Sequence, residues 1–371
     1  CIRDRINTLQ KFILKKFFPF KDWIHEIKDP KVLRADIIAG LTVALVLVPQ
    51  SMAYAQLAGL PPYYGLYASF IPVAIASIFG SSRQLATGPV AVVSLLTAAA
   101  LEPIASSDPT GYVAYAIMLA FLVGIFQLSL GLLRLGVLVD FLSHPVVTGF
   151  TNAAAIIIGT SQLSKIFGVS VISEQHHYQT VMNVISEALV NTHNPTLLMG
   201  ILAISIIVVV RKVSLKYPAV LISVVITTLM SWYFKFEINY GGKVIGVVPD
   251  GLPSMQFPQI DISQLINLGT VAIVISLIGF MEAISIAKSM ATQTKQRLDA
   301  DQELIGQGLS NIASSLFQGY PVSGSFSRSA VNISAGAVTG FASVVTGIAV
   351  SYTHLRAHET PEHLVCRLLL E

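Results

Sequence analysis

Two short polar segments that each contain a glycine interrupt the apolar sequence, about 235 residues apart: residues 84–92 and residues 321–330. Each passes directly into an apolar helical stretch that is too short for a full membrane span. This pattern predicts broken membrane helices, in which extended backbone leads into a half-helix near the middle of the bilayer. A helix start carries unpaired N–H groups and a partial positive charge of roughly half a unit. Two such starts that face each other predict an anion site inside the membrane.

Charged and hydroxyl side chains beside the second segment strengthen this prediction. Arg328 falls in the first turn of the second half-helix, where a fixed guanidinium adds a full positive charge. Ser325, Ser327 and Ser329 can offer hydroxyl groups, and Ser327 is also a candidate N-cap. Glu282 is the only acidic residue well inside an apolar stretch, which marks it as a functional candidate. Either it pairs with Arg328 and locks two spans together, or its protonation or cation binding is coupled to substrate movement.

Polar residues in the first half of the chain predict the opposite wall of the site. Thr87 and Gly88 are expected to form a bend, and Pro89 suits the first position of the half-helix because it lacks an N–H. Gln50 and Tyr54 lie four residues apart, and therefore on one face of the first span. A glutamine amide inside a membrane helix needs a partner, which favours a Gln50 that faces the cavity. Tyr54 either lines the cavity or packs against a neighbouring helix.

Composition places the chain among membrane proteins. It is 53% hydrophobic and 12% charged, with a mean hydropathy of +0.70, whereas a soluble domain carries about 25% charged residues. The sequence predicts an all-α polytopic membrane protein with apolar spans at about 36–57, 64–80, 88–103, 112–134, 144–164, 195–210, 217–234, 266–287, 302–318, 324–336 and from 339 onward. Residues 168–193 are expected to be a polar connector with an amphipathic piece at 181–189.

The distribution of positive charge predicts the orientation. Residues 1–34 hold nine Lys and Arg against four Asp and Glu, as expected of a cytoplasmic segment at a membrane surface. Loops assigned to the same side are also rich in Lys and Arg. With this assignment odd-numbered spans run outward and even-numbered spans run inward. The two half-helices are the third and tenth spans, so they enter from opposite faces. The spacings Gln50–Val90 and Glu282–Ser327 are similar, which indicates an inverted repeat. The expected parts are a basic N-terminal segment 1–34, a first repeat 35–234, an extracellular loop 235–262 and a partial second repeat 263–350.

Other apparent signals carry less weight. Asn332 matches a glycosylation acceptor but falls inside a span, and the histidines and Cys366 of residues 351–371 are a weak zinc pattern. Those last residues cannot continue the membrane helix before them, so residues 351–371 are interpreted as a non-native tail. The true N-terminus is also expected to lie upstream of Cys1. No nucleophile–base pair or nucleotide-binding loop indicates an enzyme, and no cofactor, metal or nucleic-acid partner is predicted.

Several longer motifs resemble those of the SulP (sulfate permease) family of inorganic anion transporters. They are residues 36–43 (DIIAGLTV), 48–55 (VPQSMAYA), 59–69 (GLPPYYGLYAS), 79–83 (FGSSR), 88–90 (GPV) and 323–329 (SGSFSRS). The resemblance covers roughly residues 20–350. It implies a fold of fourteen spans in two inverted seven-span repeats, a core domain that moves against a gate domain, a cytoplasmic STAS domain after the last span, and a homodimer. This chain ends in the eleventh span of that pattern.

The resemblance also implies which residues line the anion site. They are Gln50, Tyr54, Val90, Glu282, Ser327 and Arg328. With the neighbours singled out above, the predicted substrate-binding set is Gln50, Tyr54, Thr87, Gly88, Val90, Ala91, Ser325, Phe326, Ser327 and Arg328, and Glu282 is the predicted ion-coupling residue.

The expected function is proton-coupled uptake of sulfate across the cell membrane, by a multi-pass protein with a cytoplasmic N-terminus. Sodium-coupled bicarbonate transport is the first alternative, although family members with that role tend to carry Asp where this chain has Glu282. A nucleobase permease is a weaker alternative, because an uncharged base gains little from the cation of Arg328. A non-transporting anion sensor of the same architecture also stays open.

Overall fold

The computed structural model describes residues 19–105, 109–137, 144–171, 177–213, 219–244, 248–249, 251–258 and 264–355, and the predicted tail 351–371 lies largely outside them. In chain order the elements are α1 (Pro30–Leu57), α2 (Tyr63–Tyr67), α3 (Ile71–Phe79), β1 (Ala86–Gly88), α4 (Ala91–Ala105), α5 (Pro109–Leu132), α6 (His144–Ser161), α7 (Leu163–Phe167), α8 (His177–Asn191), α9 (Asn194–Val213), α10 (Ala219–Tyr233), α11 (Phe236–Tyr240), α12 (Leu265–Thr294), α13 (Ala300–Leu316), β2 (Ser323–Ser325), α14 (Phe326–Ser334) and α15 (Phe341–Leu355).

Several of these helices have the length and composition of membrane spans. Four are long and apolar enough to cross a bilayer by themselves: Pro30–Leu57, Gly111–Leu132, Asn194–Val213 and Leu265–Thr294. Shorter apolar helices accompany them, including Ala91–Ile104 and Ala219–Tyr233. The two predicted half-helices correspond to α4 and α14, and both begin within a single turn of their predicted starts.

Four predicted segments differ from the structure. The tail was expected to end the membrane helix at residue 351, but α15 continues to Leu355. The predicted span 64–80 is two helices, α2 and α3, separated at residues 68–70. The amphipathic piece expected at 181–189 is the longer helix α8, and the loop expected at 235–262 begins with the short helix α11. These differences have a common cause, because short apolar or amphipathic runs leave helix boundaries weakly defined in the sequence.

The chain divides into two compact units that do not follow the order of the sequence. Of the described residues, those within 19–143 and 251–355 form the first unit, and those within 144–249 form the second. All the residues predicted to bind substrate or a coupling ion belong to the first unit. The proposed repeat boundaries at 35–234 and 263–350 stay a prediction, because compact units and repeats are different divisions of a chain.

Helix α13 lies at the centre of the first unit, packed against α3 and α5. Glycines allow this close approach. A Cβ atom on Gly308 would lie 2.5 Å from the backbone nitrogen of Leu128, and one on Gly124 would lie 2.6 Å from the backbone nitrogen of Ile312. Small residues of this kind let membrane helices pack backbone against backbone. α13 therefore has little freedom to move relative to α5.

The two short strands pair with each other and orient the half-helices. β1 and β2 are antiparallel, with Ala86 opposite Ser325, Thr87 opposite Gly324 and Gly88 opposite Ser323. Since each strand leads into a helix, α4 and α14 leave the pair in opposite directions and point their N-terminal ends back toward it. The register keeps the two helix starts within about 20 Å along the strand direction, at ~3.3 Å per residue.

Candidate anion-binding site

The first turn of α14 is fixed by Ser325. Its hydroxyl accepts from the backbone N–H of Arg328 at 3.5 Å and lies 3.3 Å from the hydroxyl of Ser327. Ser325 is therefore the N-cap, and the prediction that Ser327 caps this helix is wrong, because the extended backbone of β2 ends at residue 325. Ser329 contributes no free hydroxyl: it donates to the Ser325 carbonyl at 2.7 Å and accepts from the Ala86 N–H at 2.9 Å.

The first turn of α4 begins later than predicted. The carbonyl of Val90 accepts the N–H of Ser94 at 3.0 Å, so Val90 is the capping position and Ala91 is the first helical residue. Pro89 consequently precedes the helix rather than occupying its first position, which corrects the prediction. Val90 is buried, whereas Ala91 is partly exposed.

Arg328 is the central residue of the site. Its side chain is fully buried, with 0% of its surface exposed. One terminal nitrogen donates to Oε1 of Gln50 at 3.1 Å, and Nε2 of Gln50 donates to the Tyr54 hydroxyl at 3.0 Å. Nε and the second terminal nitrogen of Arg328 are buried without a hydrogen-bond partner. Buried guanidinium groups are costly without partners, so these free donors indicate a place for a negatively charged group.

Gly88 provides the space that this guanidinium occupies. A Cβ atom at this position would lie 3.2 Å from the second terminal nitrogen of Arg328 and 3.6 Å from Cδ1 of Leu47. Its φ of 148° also lies in a region that other residues rarely adopt. Gly88 is therefore favoured for two reasons: its backbone conformation suits glycine, and a side chain there would crowd Arg328.

Glu282 lies near this centre without forming an ion pair. Among the described residues, no carboxylate lies within the 4.0 Å ion-pair distance of Arg328, although the charges of Glu282 and Arg328 interact electrostatically. Oε2 of Glu282 is buried and has no hydrogen-bond partner. The interpretation of Glu282 as a salt bridge that locks α12 to α14 therefore does not hold for this conformation. Gln50, and not Glu282, accepts a hydrogen bond from the guanidinium.

The remaining predicted residues occupy different environments. Phe326 and Ser327 are exposed at the start of α14, Phe326 by 59%. Thr87 is buried, and its hydroxyl accepts a hydrogen bond from Nε2 of Gln307 at 2.9 Å. The structure thus brings Gln50, Tyr54, Gly88 and Arg328 into one cluster and places Thr87 behind it, toward α13.

Sequence reasoning missed several buried polar residues around the site. The Tyr320 hydroxyl lies 3.2 Å from that of Ser94, and both residues are buried. Glu303, Gln307 and Asn311 are buried on α13. Their spacing of four residues inside an apolar span was the signal that could have identified them. No cluster of residues able to hold a metal ion was found in the described part of the chain.

Comparisons with known proteins agree on one family. The family model described as the sulfate permease family matches residues 33–363. "Sulfate transporter 4.1, chloroplastic" of Arabidopsis thaliana is 42% identical over 356 residues, which cover 94% of this chain and 50% of that protein. The "sodium-independent sulfate anion transporter" of Bos taurus is 33% identical over 373 residues, covering 91% of this chain and 60% of that protein. The chain thus spans about half the length of the curated relatives it matches.

Solved structures show the same fold. A structure of SLC26A9 gives a TM-score of 0.87 at 24% identity, covering 98% of this chain and 60% of that one. The transmembrane domain of a cyanobacterium bicarbonate transporter, BicA, gives a TM-score of 0.77 at 23% identity, covering 91% of this chain and 88% of that chain. The prediction of an all-α, multi-pass membrane transporter fold is confirmed. From the family model, the identities to sulfate transporters and this fold, it follows that the chain belongs to the sulfate permease family.

Proposed function

We propose that the protein is a secondary active transporter of inorganic anions, with sulfate as substrate and protons as the coupling ion. One observation carries the proposal: the buried guanidinium of Arg328 keeps two nitrogen atoms without partners beside two opposed helix starts. A guanidinium presents its N–H donors as a planar fork that suits oxyanions. The helix starts add partial positive charge of the same sign.

The field of this cluster favours a compact, fully charged anion over an uncharged ring. At an effective dielectric constant of about 20, one unit charge ~4 Å from the guanidinium gains roughly 4 kcal/mol, and a divalent ion gains about twice that. A nucleobase gains only dipolar interactions at the same place. The electrostatics therefore support sulfate over a nucleobase as the transported solute.

The names of relatives support the same choice. The Arabidopsis and bovine relatives are described as sulfate transporters. BicA is described as a bicarbonate transporter, which supports bicarbonate as the second candidate substrate. A singly charged planar anion can use the same two donors, so competition between the anions is the direct test.

Glu282 is the proposed site of ion coupling. Its Oε2 atom is buried without a hydrogen-bond donor, while the electrostatic influence of Arg328 reaches it. A carboxyl in this position can accept a proton and so change the charge beside the anion. This arrangement supports proton symport, with sodium in the proton's place for the bicarbonate alternative.

The family relationship implies further properties of the whole protein. We infer that it is a homodimer in the cell membrane, with residues 1–34 in the cytoplasm and with the first compact unit as the substrate-carrying core. The N-terminal side of this core is held by an ion pair between Arg83 and Glu26 at 2.9 Å. One relative is described as chloroplastic, which supports the chloroplast as the alternative location.

Arg328→Gln and Arg328→Lys test the proposed site. Sulfate binding to the purified chain is measured by isothermal titration calorimetry in detergent, and sulfate uptake by proteoliposomes is measured with the longest reading frame that contains this sequence. Arg328→Gln is expected to abolish both, and Arg328→Lys to weaken binding because the planar fork is lost. Arg83→Gln is the control, since it removes an arginine that is paired near the surface. Sulfate binding by Arg328→Gln at the wild-type affinity would overturn the proposal.

A further inference from the structure

Three buried polar side chains follow one face of α13 at intervals of four residues: Glu303, Gln307 and Asn311. Residues at this spacing lie one above the other along a helix. Each one bonds to a different part of the two segments that lead into the half-helices. None of the three belongs to the proposed anion site itself.

Asn311 binds the backbone of Val322, the residue directly before β2. Its Oδ1 atom accepts the backbone N–H of Val322 at 2.8 Å, and its Nδ2 atom donates to the carbonyl of the same residue at 3.0 Å. The side-chain amide therefore pairs with Val322 as a neighbouring strand would. Nδ2 also donates to Oε1 of Gln127 on α5 at 3.0 Å, which fixes the orientation of the amide.

Gln307 binds a residue of β1, and Glu303 binds the loop before β1. Nε2 of Gln307 donates to the hydroxyl of Thr87 at 2.9 Å. The carboxylate of Glu303 accepts the backbone N–H groups of Ser81 and Ser82 at 3.0 and 2.9 Å, where the chain leaves α3. One helix face thus holds the loop before β1, β1 itself and the residue before β2.

We propose that Asn311 and Gln307 are positioning residues, which hold β1 and β2 so that Gly88 and Arg328 stay in contact and the two half-helix starts keep their separation. The inference deepens the proposed function, because its effect on binding presumes an anion site at Arg328. The strand pair itself has only three residues on each side, and an isolated pair of that size is unstable. The geometry of the site therefore depends on α13.

A merely stabilising role would lower the resistance to unfolding and leave the native geometry unchanged. A positioning role changes the separation of the half-helices in the folded protein. Distance measurement between two spin labels distinguishes these roles. Suitable label positions are the exposed residues Ala99 on α4 and Ser334 on α14. They are replaced by cysteine in a chain whose Cys1 and Cys366 have been changed to serine.

Asn311→Leu is the principal variant, because leucine has the same branched arrangement of four side-chain heavy atoms and makes no side-chain hydrogen bonds. Ser310→Ala is its matched control: the Ser310 hydroxyl is also buried on α13, but it donates to the carbonyl of Pro72 on α3 at 2.8 Å. Asn311→Leu is expected to shift or broaden the label distance by up to one strand residue, ~3 Å. Its sulfate dissociation constant should rise roughly tenfold. Ser310→Ala should change neither quantity.

A second variant keeps the test decisive if Asn311→Leu does not fold. Gln307→Met removes the bond to Thr87, and Thr87→Val removes it from the other side, so the two variants and their combination form a double-mutant cycle. Positioning through this bond predicts that the double variant binds sulfate as weakly as either single variant, rather than showing the product of two independent losses. A label distance that Gln307→Met leaves unchanged, or two losses that multiply, would overturn the inference.

The two proposals can fail separately. Wild-type protein that binds no anion would refute the anion site, whereas the label distances would still decide the positioning role. Conversely, wild-type sulfate binding that depends on Arg328, together with unchanged label distances in Asn311→Leu, would leave the anion site standing and reject positioning by α13.

Discussion

Replacing Gly88 by alanine is the sharpest test of how the guanidinium is placed. The new Cβ atom would lie 3.2 Å from a terminal nitrogen of Arg328, which is closer than nine in ten real Cβ contacts. The guanidinium must retreat by a few tenths of an ångström. A retreat of about 0.5 Å, from ~4 to ~4.5 Å, lowers its attraction by roughly 0.5 kcal/mol per unit charge at a dielectric constant of about 20. For divalent sulfate this amounts to ~1 kcal/mol, or about fivefold in the dissociation constant.

The alanine also introduces backbone strain, because φ at residue 88 is 148°. Strain of this kind costs about 1–3 kcal/mol. Gly336→Ala separates the two effects. Gly336 has a φ of 92°, and nothing lies within 4 Å of its added Cβ. Both variants should therefore unfold at lower temperature, but only Gly88→Ala should weaken sulfate binding.

The assay is calorimetric titration of sulfate into each purified variant, next to thermal unfolding in the same detergent. Gly279→Ala supplies a third comparison, since its Cβ would meet its nearest neighbours, Ser323 and Val93, at an ordinary 3.5 Å. Equal sulfate affinities for Gly88→Ala and the wild type would show that the contact with Arg328 does not set the position of the guanidinium. A loss of affinity in Gly336→Ala equal to that in Gly88→Ala would have the same consequence.

Three further changes test other parts of the structure. Glu282→Gln cannot be ionised, so sulfate uptake by this variant should lose the increase at low pH that proton symport gives; an unchanged pH profile would exclude Glu282 as the proton carrier. Ser325→Ala removes the N-cap of α14 and should lower the free energy of unfolding by about 1 kcal/mol, whereas Ser327→Ala should leave it unchanged; the reverse order would make Ser327 the cap. Gly308→Ala places a Cβ 2.5 Å from the backbone of α5 and should lower the free energy of unfolding by about 1–3 kcal/mol. Gly269→Ala, with open space around its Cβ, should not lower it. Equal unfolding temperatures of the two variants would show that α5 and α13 separate easily.

The half-helices were predictable because their sequences change character abruptly. In a membrane protein, a polar, glycine-containing segment followed by a short apolar run is a specific signal of a broken helix. The pairing of β1 with β2 was not predictable, because three-residue strands are too short to show an alternating pattern. Only the structure gives the register that joins Thr87 to Gly324.

The individual contacts of the site were less accessible to sequence reasoning. Arg328 was identified by the charge that it adds to the helix start, and Gln50 by the need of its amide for a partner, but neither criterion names the partner. Glu282 was one candidate partner of Arg328 by charge, and the structure gives that place to the neutral amide of Gln50. Serines at 325 and 327 were equally suitable caps by type. Their roles differ because the extended backbone ends after the first of them.

The pairing of β1 with β2 has a consequence for how this family can diversify. Main-chain pairing and the side chains of α13 together hold the residues before the two helix starts, so the distance across the pocket does not depend on the side chains beyond the pairing. Selectivity can then change through the few positions beyond the pairing, such as Ala91 and Phe326. The frame would be inherited unchanged while the lining adapts to anions of different size.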